Sequence, residues 1–167
     1  MKDSEKIAIA TVFVAACALG ISIWSGIEMR RHSRLSVSPL FIIDYSLAKD
    51  DQYVGVVLSN RGLGPGRVLA FSVFVEDEKE PAGDLGFGGL ILAAHKLNID
   101  KKWLRIESPK INDPVLVNQN IPLMSIPRSE RTDERIENLK EALDKIEIKV
   151  DYESLYHEKD SVTFKMH

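Results

Sequence analysis

The chain has 167 residues, 44% hydrophobic and 28% charged, a balance that suits one globular domain and argues against disorder or a repeat array. With 25 acidic and 22 basic residues the net charge is -3, which leaves no general basic field, so no nucleic-acid partner is expected. A single cysteine, Cys17, excludes an intramolecular disulfide and a multi-cysteine metal cage, and stability must come from packing.

After a short tail (1–6), residues 7–27 read "IAIATVFVAACALGISIWSGI", 21 residues whose one ionisable group is the thiol of Cys17. As a helix this stretch spans about 31 Å, the thickness of a hydrocarbon core. Its nine Ile, Val, Leu and Phe residues favour insertion, so a transmembrane helix with membrane lipid as partner is predicted. Trp24 falls near the far end, where an indole prefers the membrane interface. A signal peptide would end at a small-residue site, yet here the apolar run continues to Ile27. "VAAC" ending at Cys17 resembles a lipoprotein box, but the next seven residues stay apolar where a polar tether is expected. Ala16 and Gly20 form a small-xxx-small pair that permits close helix packing.

The basic linker 28–34 follows, with Arg30, Arg31 and Arg34 placed to snorkel to headgroups and fix the helix end. Lys2 and Lys6 lie on the other side, so the margin of one charge assigns the main domain to the cytoplasm of a bacterial inner or plasma membrane.

Residues 35–167 are numerous enough to bury their own core and read mostly as strand. "LSVSPLFIIDYSL" and "QYVGVVLS" come first, the second with Val54, Val56 and Leu58 on one face and Tyr53, Gly55 and Val57 on the other. "RVLAFSVFVE" is apolar on both faces, as in a central strand. "WLRIE", "PVLVNQNIPLMSI", "IEIKVDY" and "SVTFKM" complete about seven strands. The expected class is mainly β: an N-terminal transmembrane helix, then an immunoglobulin-like antiparallel β-sandwich with one or two added helices. Those helices are "GGLILAAHKLNI" and "TDERIENLKEALDKI". In the second, Thr132 caps, Asp133 and Glu134 favour the dipole, and Ile136, Leu139, Leu143 and Ile146 form the apolar stripe.

Between the second and third strands lies "SNRGLGPG". A Walker loop needs Gly-Lys followed by Ser or Thr and then a helix, whereas here Gly66 precedes Arg67, Val68 and a strand. The segment therefore reads as a structural turn of Asn60, Gly62, Gly64 and Pro65, with glycine, Gly64 above all, supplying positive φ and Pro65 fixing the bend.

Together with the basic segment after the span, "HSRLSVSPL", "NRGLGPG" and "YESLYHE" resemble a group of small uncharacterised bacterial single-pass membrane proteins. That group carries an Asn-x-Gly-x-Gly-Pro loop and a Tyr-x-Ser-x-Tyr-Gly-Glu motif followed by a strand. Asn60, Gly62, Gly64 and Pro65 match the first, and Tyr152, Ser154, Tyr156 and Glu158 the second, with His157 where glycine is usual. The resemblance implies no activity.

His32, His95, His157 and His167 are scattered without ligand spacing. "HEKD" lacks the second histidine of a zinc-protease motif, and no Gly-x-Ser-x-Gly elbow occurs. The acidic pairs Asp50 with Asp51 and Asp77 with Glu78 read as solvated loop charges. No cofactor and no metal are expected. The leading expectation is a membrane-tethered interaction or scaffold module with a protein partner or self-association. A small-molecule or peptide sensor acting through an oligomer or partner comes second, and an enzyme third.

Overall fold

The computed structural model describes residues 3–76, 87–97 and 99–166; Lys2, the Asp77–Glu78 pair and His167 lie outside the described residues. The chain divides into two compact units, Met1–Val37 and Ser38–His167.

The first unit is one helix, α1 (Asp3–Leu35, 33 residues). Within its stretch Thr11–Arg34 an 18-residue window has mean hydropathy 1.8 and no buried part, and the helix is long and apolar enough to cross a membrane. Ser22 does not interrupt it, because its hydroxyl donates to the Ala18 carbonyl one turn back (2.8 Å). Residues 28–34, expected as a linker after the span, continue the helix. Glu, Met and Arg are good helix formers, and no proline occurs before Pro39. The positive charges of the last turn also complement the helix dipole.

Among the described residues the second unit holds eight strands, β1 (Phe41–Ser46), β2 (Val54–Asn60), β3 (Gly66–Val75), β4 (Arg105–Ile106), β5 (Pro114–Val115), β6 (Asn120–Ile126), β7 (Ile146–Ser154) and β8 (Lys159–Lys165). Helices α2 (Phe87–Lys96) and α3 (Asp133–Leu143) accompany them. Every strand pair is antiparallel, and the strands form two four-stranded sheets ordered β1-β2-β6-β4 and β5-β3-β7-β8. With helices of 33, 10 and 11 residues beside them, the chain is a mixed helix-and-sheet protein.

One core serves both sheets. Val54, Val56 and Leu58 of β2 share it with Phe71 and Val73 of β3 and Ile148 and Val150 of β7. Each such side chain contributes about 1.5–3 kcal/mol on burial. Phe41 of β1 stacks on Tyr152 of β7, with centroids 4.3 Å apart, and joins the two sheets. Leu90, Ala93 and Ala94 of α2 and Leu139, Ala142 and Leu143 of α3 complete the core.

Two details differ from the periodicity. "PVLVNQNIPLMSI" forms two strands, since 116–119 turns back, with Gln119 N–H donating to the Leu116 carbonyl (3.1 Å) and Asn118 at φ 60°. Ile146 belongs to no helical stripe: α3 ends at Leu143, and Ile146 opens β7 opposite Val75. Its position three residues after Leu143 fits both periods, and the strand pairing decides.

Candidate functional site

The two motifs singled out in the sequence meet at one end of the second unit. Asn60, the last residue of β2, is fully buried, with relative exposure 0%. Its Oδ1 accepts from the backbone N–H of Leu40 (3.2 Å) and of Gly62 (3.0 Å). Its Nδ2 donates to the carbonyls of Gly64 (2.9 Å) and Val115 (3.0 Å). One amide thus joins the entry segment before β1, the β2–β3 loop and β5. The main chain repeats the pattern: Arg61 N–H donates to the Leu40 carbonyl (2.8 Å), Leu63 N–H to the Ser38 carbonyl (3.0 Å), and Asn118 N–H to the Asn60 carbonyl (2.8 Å).

The glycines serve this clamp by their lack of a side chain. A Cβ on Gly62 would lie 2.3 Å from Leu40 N and 2.5 Å from the Ser38 oxygen, so the entry segment passes directly over it. A Cβ on Gly66 would lie 2.8 Å from Pro39 Cβ. The positive φ expected at Gly64 is not found; among the described residues the glycine with positive φ is Gly55, at 136°. Gly55 precedes the register shift of the β2–β6 ladder, and a Cβ there would lie 2.0 Å from the Met124 carbonyl oxygen.

The second motif closes the same end. Gly66 pairs with Val115 on one side and Ser154 on the other. The Oγ of buried Ser154 accepts from the N–H of Tyr156 (3.1 Å) and of Glu158 (3.2 Å), shaping the β7–β8 hairpin. His157 sits in that hairpin at φ 61°, a conformation glycine adopts without strain. The phenol of Tyr152 donates to Asp160 Oδ2 (3.2 Å), and burial pushes its pKa up, with the Asp160 charge adding to the shift.

Sequence reasoning missed Glu153, between the two matched residues Tyr152 and Ser154. Its side chain is 6% exposed, and Oε1 accepts from Arg67 Nε (2.9 Å) and from Nη2 of the same guanidinium. Those hydrogen bonds hold its carboxyl below the usual carboxylate range against desolvation; His157, with Nδ1 3.4 Å away, acts in the same direction. The available signal was an Arg directly after the glycine loop and an acidic residue between the two matched residues Tyr152 and Ser154. Beside this pair lies a recess of about 190 Å³ lined by Pro65, Arg67, Pro114, Leu155 and His157 among others.

Trp24, Arg30, Arg31 and Arg34 all lie on α1. Among the described residues no three His, Cys, Asp or Glu side chains converge as metal ligands, and no buried side-chain polar atom lacks a partner. The polar groups of Asn60 and of the Arg67–Glu153 pair are engaged with neighbouring segments, and they lock the entry segment, β2, β3, β5 and β7 together. Comparison with known protein families, curated proteins and solved structures finds no match to the chain.

Proposed function

We propose that this protein is a membrane-tethered interaction module whose second unit, an immunoglobulin-like β-sandwich, recruits a protein partner to the bilayer. The observation that carries this reading is the stretch Thr11–Arg34, apolar and with no buried part, on a chain whose other unit has its own core. Eight large aliphatic or aromatic residues, from Val12 to Ile27, would otherwise stand in water at roughly 1.5–3 kcal/mol each. Lipid removes that cost.

The resemblance to small bacterial single-pass membrane proteins agrees with this reading. Arg30, Arg31 and Arg34 against Lys2 and Lys6 favour a cytoplasmic sandwich. Protease added to intact spheroplasts should then leave the sandwich uncut, and digestion from outside would reverse the orientation. Co-purification from detergent-solubilised native membrane tests the function. A stoichiometric protein partner is expected, and a bound metabolite without one would replace this reading by the sensor.

A further inference from the structure

The locked end of the sandwich is also where its exposed apolar residues gather. Among the described residues, the large hydrophobic side chains exposed in the second unit are Leu40, Tyr45, Leu63, Leu92, Ile111, Leu116, Val117, Leu155 and Tyr156. Six of these nine, all but Tyr45, Leu92 and Ile111, sit on the four segments that the clamp ties together. Leu40 is in the entry segment, Leu63 in the β2–β3 loop, Leu116 and Val117 in the β5–β6 turn, and Leu155 and Tyr156 in the β7–β8 hairpin. Leu63 is the most exposed of them at 72%, and Arg61 beside it is exposed too.

Folding does not require these leucines, because the core is complete without them. Aliphatic side chains at the tips of separate loops can each enter the headgroup–acyl boundary of a bilayer, and exposed Arg61 sets a cation near Leu63. Only Ser36 and Val37 lie between α1, ending at Leu35, and Ser38, the residue the clamp holds. The tether and the end of the second unit that carries these loops are therefore joined by two residues of chain. We infer that the loop tips bearing Leu40, Leu63, Leu116, Val117 and Leu155 form a second, interfacial contact with the lipid bilayer. The contact rests on the membrane-tethered reading and adds to it: it restrains the sandwich against the bilayer and leaves the opposite end for a partner.

The test uses the full chain in a Cys17→Ser background, reconstituted in vesicles of phosphatidylcholine with anionic phosphatidylglycerol. Single cysteines replacing Leu63, Leu116 or Asp144 carry an environment-sensitive fluorophore, Asp144 lying at the far end of the sheet just before β7. Lipids with a nitroxide near the headgroup should quench the probes at 63 and 116 several-fold more than the probe at 144. Introducing Leu40→Asp and Leu155→Asp together should reduce that quenching to the control level while the protein still floats with the vesicles. Equal quenching at all three sites in protein that floats would overturn the contact and leave the tether standing. Protein that does not float would overturn both. Quenching that appears only when two labelled copies meet, read as energy transfer between tips, would overturn the contact in favour of self-association.

Discussion

Asn60 makes four hydrogen bonds from a fully buried position, so its removal orphans two N–H groups and two carbonyls at once. Asn60→Ala should cost about 3 kcal/mol, read as a lower denaturant midpoint in detergent. Asn60→Asp should be at least as harmful, because it keeps the acceptor but sets a carboxylate against the carbonyls of Gly64 and Val115. Gly55→Ala combines a positive φ with a 2.0 Å backbone clash and should prevent stable folding, seen as loss of expression or of a cooperative transition. Glu153 gives a pH signature. Its folded pKa is lowered, so in the acid range the unfolded chain binds the extra proton. The stability from this group is complete above the ordinary glutamate value of about 4.3 and is lost as pH falls through the folded pKa. Glu153→Gln should therefore flatten the decline of stability below about pH 4. An unchanged acid slope would remove the Arg67–Glu153 pair from the account.

At the scale of elements, α3 begins where Thr132 Oγ1 accepts from Arg135 N–H (3.3 Å), and Thr132→Ala should lower the unfolding midpoint by the equivalent of about 1 kcal/mol. That helix, its cap and the strands β1, β2, β3, β7 and β8 were legible because each is long enough for its period to show. The alternation of Val54, Val56 and Leu58 placed them together in the core, although Gly55 and Val57 on the other face are buried as well. The turn at 116–119 was not legible, because "VNQN" carries neither glycine nor proline and its reversal depends on Asn118 donating to the Asn60 carbonyl. The continuation of α1 through 28–34 was hidden by charge, which marks a membrane boundary without ending a helix. Both motif positions were found, but their meeting was not. Nothing in "SNRGLGPG" states that Ser38 to Phe41 will lie against it, so steric demand at Gly62 read as conformational demand at Gly64. Glu153 was missed for a related reason: its partner Arg67 is adjacent only through the β3–β7 register.

At the scale of the whole molecule, two units with different surfaces are joined in one chain: a helix with no buried part along Thr11–Arg34, long and apolar enough to cross a membrane, and a domain with its own core. On the membrane-tethered reading proposed above, the boundary of lipid and water satisfies both surfaces at once. The alternative is removal of the apolar stretch by processing, which would release the second unit from any bilayer. The direct measurement is alkaline carbonate extraction of membranes from cells expressing the full chain, combined with the mass of the intact protein in the pellet. The protein should stay in the pellet with residues 7–27 present, and replacing Val14 and Leu19 by Asp should move it to the supernatant or prevent its accumulation. Wild-type protein released by carbonate, or a mature N-terminus at Cys17 or beyond, would contradict the membrane-tethered reading.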